Sequence, residues 1–296
     1  MISVLIPTYK YNCFPFVQEL HNQLTEAAIR FQIICLDDGS KPDFNIENNG
    51  INKLSNSHFR SLDKNIGRSA IRNLLIKESF FDWLLFLDAD GFPKNDNFIQ
   101  LYVDYIHSKT DFVGFIGGRI HKKEESKNLR VKFGTDREEL SVVLRNKNPY
   151  RFLFTSNILL KKSVFNKIKF NEDLKGYGYE DVLLGNSIRD KDYKILHINN
   201  PVYHLQIENN TVFINKTKQG LTNLFFLENE KLITENDIKL LKYFHKIEDL
   251  KLDGFFKNKV NFFIKMAVKT SNLVFYDLFK LSYLCYLKEV KKYGED

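Results

Sequence analysis

Three strand-length apolar runs, each cut off by a polar turn and separated by stretches of helical spacing, constrain this chain more than any other feature. Residues 3–7, 32–36 and 83–87 are nearly continuous apolar segments, the pattern of strands covered on both faces. Pro7 closes the first, Asp37-Asp38-Gly39-Ser40 the second and Asp88-Ala89-Asp90-Gly91 the third. Between the first two, Phe16, Leu20, Leu24, Ala27, Ala28 and Phe31 recur at helical spacing and predict a helix over residues 16–31. Residues 57–62 read as another strand, and residues 67–79 as a helix with Ala70, Leu74 and Leu75 inward. Strands alternating with helices predict an α/β fold with parallel pairing.

Beyond residue 110 the alternation loosens. Residues 112–117 and 152–160 are strand candidates, and the charged stretch 122–139 reads as a surface excursion. Gly176-Tyr177-Gly178-Tyr179-Glu180-Asp181 leads into a helix over residues 182–188, and from Thr217 the chain reads as helical, lysine-rich and aromatic. The division expected is an α/β region over 1–220 and a helical extension over 221–296. At 43% hydrophobic residues the chain can bury a sizeable core, yet no apolar run approaches the roughly 18–20 residues of a membrane-spanning helix. The first residues read as a strand rather than a secretion leader. Cys13, Cys35 and Cys285 are too few and scattered for a disulfide framework or zinc site. Cys35 reads as a small buried hydrophobe, and a reducing cytoplasm is the expected setting. Lys+Arg 44 against Asp+Glu 37 gives +7, which favours anionic partners such as nucleotides, phospholipid surfaces or nucleic acid without selecting one. A solvated lysine face explains the same excess.

Ligands of open α/β sheets sit at the carboxyl ends of the strands, where Pro7-Thr8-Tyr9, Asp37-Asp38-Gly39-Ser40 and Asp88-Ala89-Asp90 all fall. Tyr9 can offer a flat face to a base, and Asp38 can accept from a base N–H or a ribose hydroxyl, or simply cap a turn. Asp88 and Asp90 at a strand end supply hard oxygen ligands for Mg²⁺ or Mn²⁺, ions that complete their shell with water and substrate phosphates. The plainer alternative is a solvated turn. Glu180 and Asp181 suit acid–base work, or equally a helix N-terminus.

With Asn65-Ile66-Gly67-Arg68-Ser69-Ala70-Ile71-Arg72-Asn73 between them, these motifs stand in an order and spacing that resembles family 2 glycosyltransferases of the GT-A fold over residues 1–205. The resemblance implies transfer of a sugar from a nucleotide-sugar donor, UDP-linked above all, to a hydroxyl of a glycan or lipid-linked glycan, with inversion. It implies that Pro7, Thr8 and Tyr9 line the base pocket, that Asp38 reads the base, and that Asn65, Gly67 and Arg72 support the nucleotide. Asp88 is then expected at the ribose or a metal-bound water, Asp90 as ligand of Mn²⁺ or Mg²⁺, and His204 of Val202-Tyr203-His204 as a further metal ligand. Asp181, with Glu180 as the alternative, takes the place of the catalytic base, and Tyr177 and Tyr179 can pack on a sugar face. Lys216 is a candidate phosphate contact. The Gln-x-x-Arg-Trp-like motif and spanning helices of processive synthases are missing from the sequence, which favours single-sugar or non-processive transfer. Bacterial surface polysaccharide assembly is the implied pathway.

Two other classes compete. A nucleotidyltransferase shares the layered fold and metal carboxylates, but Pro7-Thr8-Tyr9-Lys10 lacks the glycines of its phosphate loop. A non-catalytic sugar- or nucleic-acid-binding module leaves the acids unexplained, and no nucleic-acid partner is expected. In the extension, Phe256, Val260, Phe263 and Ala267 recur at helical spacing, opposite Lys257, Lys265 and Lys269. That face predicts either packing, on the catalytic region or in a homo-oligomer, or a peripheral contact with the inner face of the membrane.

Overall fold

The computed structural model describes residues 1–121, 128–174 and 176–294; the start of the charged stretch, residues 122–127, lies outside them. Its described strands are β1 (Ile2–Thr8), β2 (Phe31–Asp37), β3 (Ser57–Ser61), β4 (Trp83–Leu87), β5 (Gly91–Pro93), β6 (Gly114–Ile116), β7 (Arg119–Ile120), β8 (Asn157–Lys161), β9 (Ile195–His197) and β10 (Val202–His204). The main sheet has the order β3-β2-β1-β4-β8-β6-β9, and all its pairings are parallel except the two made by β8. A second, small sheet has the order β5-β10-β7.

Helices α1 (Phe14–Glu26), α2 (Arg68–Glu78) and α3 (Phe98–Ser108) cover the main sheet, with α4 (Leu129–Arg137), α5 (Val142–Lys147) and α6 (Glu180–Arg189) following in the chain. Successive side chains of a strand point to opposite faces, so β1 feeds two cores. Val4 and Ile6 join Phe16, Val17 and Leu20 of α1 and Ile99 and Tyr102 of α3. Leu5 joins Ile71 and Leu75 of α2 and Leu184 and Ile188 of α6. This double coverage explains why the strands are apolar throughout rather than alternating.

The chain divides into two compact units. The first comprises Met1–Lys122, Glu138–Asp173 and Glu180–Gln206, and the second Lys123–Arg137, Leu174–Tyr179 and Ile207–Asp296. The second contains α4 and the helices α7 (Asn210–Asn229), α8 (Lys239–Asp249), α9 (Asp253–Lys257), α10 (Val260–Thr270) and α11 (Leu273–Gly294). Helix α7 starts at Asn210, seven residues before the expected Thr217, and is capped by Asn209, whose side chain accepts from the Val212 N–H. No described helix is long and apolar enough to cross a membrane.

Three local expectations shift. Helix α1 stops at Glu26 because Ala28 takes a left-handed conformation at φ 51°, which releases Phe31 to begin β2. Strand β1 continues through Pro7 to Thr8: the register with β4 ends at Leu5, so Pro7 lies where β1 has one neighbour and its missing N–H breaks no second ladder. Strand β8 begins only at Asn157, five residues later than the apolar pattern suggests.

Leu85 is wholly buried in β4, between β1 and β8. Leu85→Ala is expected to lower the free energy of unfolding by about 2–5 kcal/mol in urea denaturation, through lost transfer energy and the cavity left behind.

Candidate active site

The carboxyl end of β2 is tied down by its own acids. Asp37 is fully buried and accepts from the Ser40 N–H at 2.8 Å, the Asn45 amide at 2.9 Å and the Ser61 hydroxyl at 2.7 Å. Asp38 accepts from the backbone N–H groups of Ile66 at 2.7 Å and Gly67 at 3.1 Å. Burial raises the Asp38 pKa and these two hydrogen bonds pull against it without cancelling it. Gly39 makes the approach feasible: at φ +74°, a Cβ there would lie 2.5 Å from the Lys64 carbonyl carbon. Asp38 therefore holds the Asn65–Gly67 turn at the start of α2, and Asn65 itself is exposed. Thr8 is buried opposite Asp37 in the β1–β2 register, while Tyr9 is 46% exposed with Lys10 Nζ 4.8 Å from its ring centroid. Its ring is open to stacking.

Arg72 on α2 is buried, and a buried guanidinium needs anionic partners. It donates to Asp88 Oδ1 at 3.1 Å and reaches Glu180 Oε1 at 3.5 Å. Arg68, one turn earlier and partly exposed, donates from Nε to the same Glu180 oxygen at 3.0 Å and sits 3.8 Å from Asp88 Oδ2. Asp88 at the end of β4 and Glu180 at the start of α6 are thus cross-linked through one helix. Asp88 faces these arginines, whereas Asp90 turns to a different partner.

That partner is His204, whose Nε2 lies 3.0 Å from Asp90 Oδ2. The small sheet sets the pair: β5 begins directly after Asp90, β10 ends at His204, and their antiparallel register places His204 opposite Gly91. Leu205 N–H donates to the Asp90 carbonyl at 2.9 Å. Burial disfavours the charged Asp90 carboxylate, but the His204 hydrogen bond and the charges of Arg68 and Arg119 outweigh it and hold its pKa below the ordinary value. The His121 ring stands edge-on to His204 at 5.4 Å, with its Nδ1 2.8 Å from Glu139 Oε1. Among the described residues no three His, Cys, Asp or Glu side chains form a closed metal cluster. An anionic carboxylate beside an imidazole nonetheless fits a divalent ion that draws its other ligands from phosphates and water.

The two adjacent acids of α6 are driven apart in proton affinity. For Glu180, burial favours the neutral form, but the charges of Arg68 and Arg72 prevail and lower its pKa. Asp181 is tuned the other way. Burial and the Glu180 charge push its pKa up to about 6, against the Arg72 charge and a hydrogen bond from the Thr155 hydroxyl at 2.7 Å. Asp181 is thereby suited to take a proton near neutral pH, and Glu180 to stay ionised.

The first unit brings Pro7, Thr8, Tyr9, Asp38, Asn65, Gly67, Arg72, Asp88, Asp90, Glu180, Asp181 and His204 into one compact body. Tyr177 and Tyr179 belong to the second unit. There the Asn223 amide donates to the carbonyls of Tyr177 and Gly178, Tyr179 packs beside Gly220, and burial raises the Tyr179 phenol pKa. Lys216 pairs with Glu208 in that unit. Sequence reasoning gave no role to Arg68, Thr155, His121 or Glu139. Arg68 directly follows Gly67 within a recognised motif, whereas the other three carry no local signal. It also missed that Cys13 and Cys35 lie close together, with their sulfurs 3.3 Å apart in the core.

The profile of glycosyl transferase family 2 matches residues 3–169, more than half of the chain, and the chain belongs to that family. A Haemophilus influenzae protein described as an uncharacterized glycosyltransferase is 30% identical over 138 residues, covering 44% of this chain and 54% of that protein. The chain thus matches about half the length of this curated relative. Among solved structures, S. aureus TarS 1-349 in complex with UDP-GlcNAc aligns with a TM-score of 0.52 at 17% identity, over 99% of this chain and 92% of that one. The mannosyltransferase PcManGT from Pyrobaculum calidifontis, in complex with GDP-Man and Mn2+, aligns with a TM-score of 0.51 at 13% identity, over 74% and 61%. These likenesses bear out the expected fold, a mostly parallel sheet flanked by helices with a helical C-terminal region.

The raised Asp181 pKa costs stability. Between its ordinary 3.8 and about 6 the unfolded chain has released the proton while the folded chain retains it. Stability therefore falls as pH rises through that window, and the cost is complete above it. Asp181→Asn keeps the oxygen that accepts from Thr155 and is expected to gain about 1–3 kcal/mol above pH 7. The gain should disappear below about pH 4 when melting temperatures are compared across pH.

Proposed function

We propose that this chain is a metal-dependent, inverting glycosyltransferase that moves a sugar from a nucleotide donor, a UDP-sugar, to a hydroxyl of a glycan or lipid-linked glycan. The observation that carries this reading is the opposed tuning of the acids in one α/β unit: Glu180 held ionised by two arginines, Asp181 raised to about 6. A base of that affinity is largely unprotonated at neutral pH yet strong enough to draw a proton from a hydroxyl as it attacks. In the proposed reaction the acceptor oxygen forms a bond to the anomeric carbon while the bond from that carbon to the diphosphate breaks. Its proton passes to Asp181, and the nucleoside diphosphate leaves with the electron pair.

Asp90 and His204 are assigned as the residues that hold Mg²⁺ or Mn²⁺, with Asp88, anchored by Arg72 and Arg68, nearer the ribose. The ion supplies charge neutralisation to the departing diphosphate. A solved neighbour, PcManGT, is in complex with Mn2+, which supports a divalent cofactor of this kind. Tyr9 is assigned to base stacking on the strength of its exposed ring, and Pro7 and Thr8 to the pocket wall. Asp38 shapes the pocket through the Ile66 and Gly67 amides it already holds, with Asn65 presented by the same turn. TarS in complex with UDP-GlcNAc, a protein of the same fold, supports a uridine nucleotide as donor. Bacterial surface polysaccharide assembly, on the cytoplasmic side, is the assigned setting.

Asp90→Ala removes the anionic ligand. Calorimetric titration with UDP is expected to lose the Mn²⁺-dependent part of its affinity, by about tenfold or more, while metal-free affinity changes little. An unchanged metal requirement would remove Asp90 from the ligand set.

The base has its own signature. The acid limb of kcat/KM should fall near pH 6, the Asp181 value, because the free enzyme must carry the unprotonated acid. Glu180→Gln deletes the neighbouring negative charge and leaves the arginine charges uncompensated, so the limb should move to lower pH. Asp181→Asn should slow transfer by about 10²–10⁴-fold while UDP still binds. Full transfer by Asp181→Asn with none by Glu180→Gln would reverse the assignment.

A further inference from the structure

In the helical unit, the apolar face for which either packing or a membrane contact was expected is turned inward. Phe263 and Ala267 are buried and Phe256 and Val260 half-buried, and α10 packs on α11. The exposed rings sit one position earlier in the sequence: Phe255 is 58% exposed and Phe262 54%. The four phenylalanines form a continuous row, Phe255 to Phe256 at 5.8 Å, Phe256 to Phe263 at 6.4 Å and Phe263 to Phe262 at 5.4 Å. The inner rings anchor the row in the unit and the outer rings protrude. Leu250 and Leu252, in the turn ahead of α9, are 67% and 43% exposed.

The charge around this row is mainly positive. Residues 250–270 contain five lysines and one aspartate, Asp253, which lies 3.8 Å from Lys288. Lys257 pairs with Glu289. Lys251, Lys259, Lys265 and Lys269 are exposed, and the Lys259 ammonium lies 5.6 Å from the Phe255 ring centroid. Large apolar side chains that protrude among lysines match a surface that is apolar beneath an anionic layer.

We propose that residues 250–270 dock the chain on an anionic lipid bilayer, with Phe255, Phe262, Leu250 and Leu252 entering the interface and Lys251, Lys259, Lys265 and Lys269 meeting lipid phosphates. The contact is independent of the sugar-transfer reading, since it uses no residue of the first unit. A lipid-linked acceptor would lie in the same plane.

The test is flotation of the full chain with vesicles of phosphatidylcholine, alone or mixed with phosphatidylglycerol. Binding is expected with the mixed vesicles at low salt, to be released by high salt, and to be weak with phosphatidylcholine alone. The Phe255→Ser/Phe262→Ser variant should lose binding about tenfold or more. Lys259→Glu/Lys265→Glu, which leaves the rings in place, should lose the preference for acidic lipid. Circular dichroism confirms that each variant folds. Failure of the parent chain to float with acidic vesicles at low salt overturns the proposal, as does parental binding by both variants. A concentration-dependent dimer that the serine variant loses, without lipid binding by the parent, would assign the surface to a second copy instead.

Discussion

The buried guanidinium of Arg72 is the interaction on which the candidate site depends. It touches Asp88 and Glu180, and through them joins the end of a central strand to the start of a helix about ninety residues later in the chain. A buried cation without anions costs several kcal/mol, so the two acids are held by the same term that makes the arginine tolerable in the core. Arg68 repeats the arrangement at the edge, where it is partly exposed and water screens its charge. The consequence reaches Asp181. Burial and the charge of the neighbouring, ionised Glu180 leave it with a raised proton affinity. One charged helix face therefore sets the difference between two neighbouring carboxylates.

The remaining parts of the site are positioned by backbone geometry. The Asp38 carboxylate takes two amides of the next strand-to-helix turn, and Gly39 provides the clearance for that turn. The antiparallel register of two three-residue strands brings His204 to Asp90. Such short strands hold little pairing energy of their own, and the pair rests on flanking structure that includes the His121 ring and the Glu139 carboxylate behind it. Under the proposed function, a divalent ion held there would add its own attraction to that arrangement and offset the repulsion a diphosphate would meet from Asp88, Asp90 and Glu180.

Residues 3–7, 32–36 and 83–87 were legible as strands because both of their faces are covered, and burial on two sides leaves an uninterrupted apolar signature. The acidic turns at their ends were legible as a site because parallel strands share one carboxyl edge. The end of α1 was less so: the left-handed Ala28 carries no glycine or asparagine to announce it. Asp88 was equally legible as metal ligand or ribose contact, since nothing near it in sequence specifies that Arg72 and Arg68 face it.

The sequence by itself determined the α/β alternation, the order of the strand-end motifs and the family to which the chain belongs, because each is written in local pattern and spacing. Tertiary structure alone decided the partners: Glu180 with the arginines, Thr155 with Asp181, His204 with Asp90. These contacts join residues far apart in the chain, and no local period encodes them. It also decided which phenylalanines of the helical unit face out. Phe255 and Phe256, like Phe262 and Phe263, are neighbours of equal hydrophobicity, and only packing against α11 selects the inner one. The physical reason is the same in both cases: periodicity specifies that a face is apolar, while burial depends on what the rest of the chain brings against it.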